Sequence, residues 1–140
     1  MVNVRKQKAN RLHGAMLVEA ALVLPLMLLV TFGAIKYGWL FLKAQQITNA
    51  ARHGARMAVL PDVSDSEVIT SVTDVLAGAH IVVSGGEIVI TRGLDVSLDE
   101  HTAVNVQITI PSERVDILKI PLFPEVGDIS ASVTMAREGT

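Results

Sequence analysis

Few residues in this chain have the type and spacing that chemistry needs. Four histidines, His13, His53, His80 and His101, are the obvious proton carriers. None stands at a metal-binding spacing from a second histidine or a pair of acids, as an HExxH helix would require. Each reads as an ordinary surface or half-buried side chain. Serines are plentiful, but none lies in a GxSxG or SxxK context that would activate its hydroxyl. Asp99 and Glu100 are adjacent, so in a strand they point to opposite faces and form no acid–base pair. "SGGE", residues 84–87, is too short for a phosphate loop and precedes no helix. With no cysteine there is no thiolate, disulfide or Cys-zinc site. The chain is therefore expected to be no enzyme and to hold no cofactor or metal. The residue that remains is Glu19, a carboxylate inside the apolar run "AMLVEAALVLPLMLLVTFGAI".

That run is the element that must position it. From Ala15 to Ile35 Glu19 carries the only charge. A helix of that length spans ~30 Å, the thickness of a bilayer core. Arg5, Lys6, Lys8 and Arg11 precede it without a single acid, and after Gly14 the remaining 8 Lys/Arg are outnumbered by 14 Asp/Glu, Glu19 among them. Under the positive-inside rule residues 1–14 stay cytoplasmic and the chain after the span lies across the membrane. Four cations without interleaved aromatics make no case for nucleic acid.

Beyond the span, "KYGWLFLKAQQITNAARHGARMAVL" keeps helical periodicity through Leu40, Ala44, Ile47, Ala51, Ala55 and Ala58. One helix is expected from about Ala15 to Val59, apolar all round and then amphipathic, ended by Pro61. Tyr37, Trp39 and Phe41 cluster where the span leaves the bilayer; they suit the headgroup level or pack on the domain that follows. Ser64 or Asp65 caps a second helix over about 65–78, with Val68, Val72, Val75 and Leu76 as its stripe and Gly78 as its stop. The period then changes to two. "EIVITRG", "AVNVQITI" and "ISASVTMARE" read as strands with one wet face, "IVV" as a short further candidate, and "PLFPEVGD" as a loop. The fold class is α+β: a long N-terminal helix, a second short helix and a small antiparallel sheet of three to four strands. The domains are a basic leader over 1–14, a transmembrane helix over 15–35 and a periplasmic α+β domain over 36–140.

A basic leader ending in Gly14, then Ala15, then a greasy run with Glu19 at its fifth position, resembles a type IV prepilin. "VEAALVLPL", "NAARHGARMAVL" and "SVTMARE" together resemble the TadE-like family, minor pilins or pseudopilins of the tight-adherence (Tad) pilus machinery. Ala20 stands where such proteins often carry an aromatic residue. The resemblance implies cleavage between Gly14 and Ala15 by an inner-membrane prepilin peptidase. It also implies assembly with other pilin and pseudopilin subunits on the inner-membrane platform, and possible incorporation into a surface pilus. The expected location is the bacterial inner membrane, single pass, with the lipid bilayer itself as a partner.

Two residues carry physical expectations of their own. A carboxylate inside a membrane helix costs about 2.5–3.5 kcal/mol at the centre and less near the interface. Glu19 either snorkels to the headgroups or pairs with the terminal ammonium of Ala15, most usefully that of a neighbouring subunit. Pro25 removes one backbone hydrogen bond and predicts a kink or loosened turn over residues 21–25. Two other readings compete with a pilin: a membrane-anchored periplasmic binding or scaffold domain that never enters a filament, and a domain secreted behind an ordinary signal peptide. The bulky Phe32 and the length of the run speak against the second.

Overall fold

Alanine and leucine, ten of each, are the commonest of the first sixty residues, and both favour helix. In the computed structural model, which describes residues 3–95, 102–118 and 123–136, they form a single helix, α1, Asn3–Ala58. It begins earlier than the expected Ala15, because nothing in the polar leader breaks a helix. It runs through Pro25 and ends three residues before Pro61. The chain divides into two compact units, Met1–Tyr37 and Gly38–Thr140.

In the first unit, large apolar residues from Met16 to Ile35 are exposed, Leu17 at 70% and Leu22 at 73%. This is a helix apolar enough to cross a membrane by length and composition.

The second unit has its own core. Leu40, Ile47, Ala50, Ala51, Ala55 and Ala58 of α1 are buried, and Ala44 is half-buried, so the periodic face read from the sequence faces inward. The second helix, α2, spans Asp65–Gly78. Ser64 caps it: its hydroxyl accepts from the Glu67 N–H at 3.4 Å, and its own N–H donates to Glu67 Oε2 at 2.8 Å. This reciprocal capping box satisfies two otherwise orphaned donors. Val68, Val72 and Leu76 turn inward, whereas Val75 is exposed.

The left-handed residue that ends α2 is His80, φ 56°, and not Gly78, which is the last helical residue. His80 N–H bonds Ala77 O and Ile81 N–H bonds Leu76 O, at 2.9 Å each. This is a Schellman closure, completed by the buried pair Leu76 and Ile81. With Ile81 committed to it and Val82 exposed, "IVV" forms no strand. A short 3-10 turn, Gly85–Glu87, follows.

Three strands form a meander in the order β1 (Ile88–Asp95), β2 (Thr102–Ile110), β3 (Ile129–Ala136), all antiparallel. The alternation is as the sequence reads. Val104, Val106, Ile108 and Ile110 are buried, while Asn105, Gln107 and Thr109 are not. In register, Ile90 faces Val106, which faces Val133. The pairing of β1 shifts between Arg92 and Leu94, where Gly93 takes φ +83°, a conformation that costs glycine nothing. A four-residue helix, α3 (Ser112–Val115), unforeseen in the sequence, follows Pro111. The Ser112 hydroxyl donates to Val126 O and ties the irregular segment 123–128 to it. Residues 96–101, which include Asp99, Glu100 and His101, and residues 119–122 and 137–140, over which parts of the expected loop and last strand fall, lie outside the described residues.

The inner face of the sheet and the apolar faces of α1 and α2 share one core. Each fully buried Val, Leu or Ile contributes roughly 1.5–3 kcal/mol. Gly54 sits where they come closest. A Cβ there would lie 2.6 Å from Val72 Cγ2 and 3.4 Å from Val106 Cγ1. Only glycine lets α1 approach α2 and β2 this closely.

Candidate functional site

Gly14, Ala15, Glu19 and Pro25 all lie on α1. Glu19 follows Ala15 by four residues, so both stand on one face, about 6 Å apart along the axis. Glu19 is exposed, and no described residue bonds to its carboxylate. Around it Met16, Leu17, Val18, Leu22 and Val23 are exposed as well. What this arrangement can do is associate: a single acid on an apolar rod offers one charged contact point, and the rest offers dispersion and lipid contact.

The aromatic cluster divides its roles. Trp39 is half-buried in the second unit, and its indole N–H donates to Val115 O at 2.8 Å. Phe41 is exposed. Tyr37, on the first unit, is exposed too. Next to Trp39, the buried Lys43 donates from Nζ to Ala79 O at 2.6 Å and lies 4.9 Å from the indole ring. A cation bound to a carbonyl at the C-terminal end of α2 meets the negative end of that helix's dipole. These side chains border a groove of about 580 Å³, together with Gln46, His80 and Arg114. Gln46 Oε1 is buried there without a partner, and Arg114 is tied to Glu87 at 2.7 Å. The cations of this groove are anchors between elements.

Arg92 is a functional-looking residue with a structural task that sequence reasoning missed. It donates to Asp65 Oδ1 at 2.6 Å, Ala58 O at 2.9 Å and Val63 O at 3.0 Å. One strand side chain thus holds the end of α1, the connecting turn and the first turn of α2. No local pattern signals it, since its partners are distant in sequence.

Among the described residues, the nearest approach to a catalytic pair is His53 and Ser71, 2.9 Å apart. The contact is exposed, and no described acid orients the imidazole. No group of three metal-ligating side chains occurs among the described residues. Among the described residues, Glu67 is the carboxylate whose titration the fold shifts. The Ser64 backbone N–H, and then its hydroxyl, donate to the carboxylate and hold its pKa below the ordinary value.

Against known proteins, the model of the TadE-like protein family matches residues 14–56. This is the family that the sequence resembles. The match starts at Gly14 and ends just past Gly54, so it covers the apolar span and the packed half of α1. No curated protein and no solved structure matches the chain. TadE-like proteins are structural and associated with the Tad pilus, and the family is not known for catalysis.

Proposed function

We propose that this chain is a pilin-like subunit that takes part in assembly of a Tad-type pilus. Prepilin peptidase cleaves after Gly14, residues 15–35 anchor the mature chain in the inner membrane, and residues 36–140 form its periplasmic domain. The observation that carries this reading is the family match, which begins at Gly14 and takes in a lone acid, Glu19, on an exposed apolar helix. Gly14 also weakens α1 where a peptidase must grip the backbone, by ~1 kcal/mol relative to alanine.

After cleavage, Glu19 lies one turn from the new ammonium of Ala15. In low dielectric that carboxylate pairs best with the ammonium of a neighbouring subunit, which sets the register between packed helices. Pro25 loosens the turn before it and lets the span bend on leaving the bilayer. The partners are other pilin and pseudopilin subunits, the prepilin peptidase and the assembly platform.

Replacing Glu19 tests the pairing. Glu19→Ala removes a desolvation cost, so the protein should still insert and be cleaved. It should no longer co-purify with pilus components, because the neighbour's ammonium is left unpaired at a cost of several kcal/mol. Glu19→Asp should be partly active. Normal assembly of the alanine variant would refute the mechanism and favour an anchored scaffold that never enters a filament.

A further inference from the structure

The two edges of the sheet are built differently. Among the described residues β1 and β3 each pair with β2 alone. The β1 edge is blunted in the ways proteins use against unwanted pairing: it carries Arg92, a glycine and a register shift. The β3 edge has none of these. "ISASVTMA" contains no charge, proline or glycine, and its register with β2 is unbroken over the whole strand. Its backbone groups on the outer side have no backbone partner among the described residues. Its inward row is also incompletely covered. Ile129, Val133 and Met135 are half-buried, whereas the β2 residues they face, or lie beside, are at most 1% exposed.

We propose that the free edge of β3 pairs antiparallel with the β3 edge of a second copy of this chain, joining the two sheets across a two-fold axis. The strand is self-complementary. An antiparallel pair centred on Ser132 sets Ile129 against Met135 of the other copy and Ala131 against its Val133, and it matches Ser130 with Thr134 on the polar face. Every apolar residue of the inward row then meets an apolar partner. Shifting the centre by half a residue would place apolar side chains opposite hydroxyls, because side chains alternate with period two. Centring on Val133 would leave Ile129 without an apolar partner. A second copy is therefore the occupant whose pattern is on the page, and the register follows from it.

The shared edge, residues 129–135, is about 23 Å long at ~3.3 Å per residue. So narrow a contact buries less than the roughly 1,200–2,000 Å² of a standard stable interface. It is suited to chains already held side by side in a bilayer, where effective concentration is high. It requires the membrane anchor but neither cleavage at Gly14 nor any other pilus component.

Because the chain has no cysteine, single introduced thiols report the pairing without ambiguity. The full chain is expressed alone in membranes and treated with copper phenanthroline. Directly opposed residues in an antiparallel pair lie ~4.5–5.5 Å apart at Cα, within reach of a disulfide. Ser132→Cys should give a disulfide dimer at least tenfold more abundant than Thr91→Cys on β1. Ser130→Cys alone should stay monomeric, whereas Ser130→Cys and Thr134→Cys chains expressed together should cross-link to each other. Equal yields from Ser132→Cys and Thr91→Cys, or no dimer from either Ser132→Cys or the mixed pair, would overturn the proposal. An uncut N-terminus would overturn the pilin reading and leave this result standing.

Discussion

The two halves of α1 share one backbone geometry and solve opposite problems. Before Tyr37 the large apolar residues point outward: Met16, Leu17, Leu22 and Leu26 are each more than 60% exposed. After Gly38 the buried positions are mostly small: Ala50, Ala51, Gly54, Ala55 and Ala58. A helix facing lipid needs apolar area and tolerates any shape that supplies it. A helix facing protein must let its neighbours approach, and the approach is decided by single methyl groups. Hydropathy alone would rank the first half as the core, and it is the half with the least protein around it.

The sharpest way to break this comparison is to add volume to each half. Gly54→Leu places a side chain where even a Cβ meets Val72 at 2.6 Å. It should destabilise the second unit by ~3 kcal/mol or more, since neither helix can withdraw without opening the core. Ala21→Leu in the span should leave the melting of that unit unchanged. Thermal melts of the detergent-solubilised chain, followed by circular dichroism, compare the two directly.

Removing a polar anchor should cost less. Arg92→Met keeps the aliphatic stem but frees the carbonyls of Ala58 and Val63 and the carboxylate of Asp65. Discounted for its one-third exposure, the loss should be ~1–2 kcal/mol. Chemical denaturation of the same solubilised chain reads it as a lower midpoint at an unchanged slope.

A smaller effect of opposite sign is expected at the end of α2. His80 holds a left-handed backbone that glycine adopts freely. His80→Gly should therefore stabilise the second unit by about 1 kcal/mol, whereas His80→Val should destabilise it. The melting temperatures of the two variants should move in opposite directions.

The smallest expected effect is pH-dependent. The capping box lowers the pKa of Glu67 in the folded chain, from an ordinary 4.5. Its contribution is fully present above that ordinary value and is lost as pH falls through the lowered one. Far-UV circular dichroism of Glu67→Gln should show a flatter acid limb than the wild type below pH 4.5. The span, with its exposed apolar residues, should contribute nothing to the difference.

Much of this architecture was legible because it depends on local order. The alternation in "AVNVQITI" gave the buried and wet faces of β2, and "SDSE" gave the cap of α2. What escaped depends on residues brought together from afar. Arg92 reads as one charge in a strand, and its partners lie 27 to 34 positions away. Gly54 reads as a weak point in a helix until α2 and β2 are placed against it. α2 does end at Gly78, but the carbonyls of Ala77 and Leu76 are closed beyond it, by the N–H groups of His80 and Ile81. The family match rests on α1 alone, so residues 57–140 owe their interpretation to the fold.

The account turns on residues 1–14 being removed from a chain anchored by the helix behind them. Mass spectrometry of the protein purified from membranes measures this directly. A pilin-like subunit begins at Ala15, with Glu19 one turn from its amine. A mature chain starting at Met1 or Val2, or near residue 35, would contradict it.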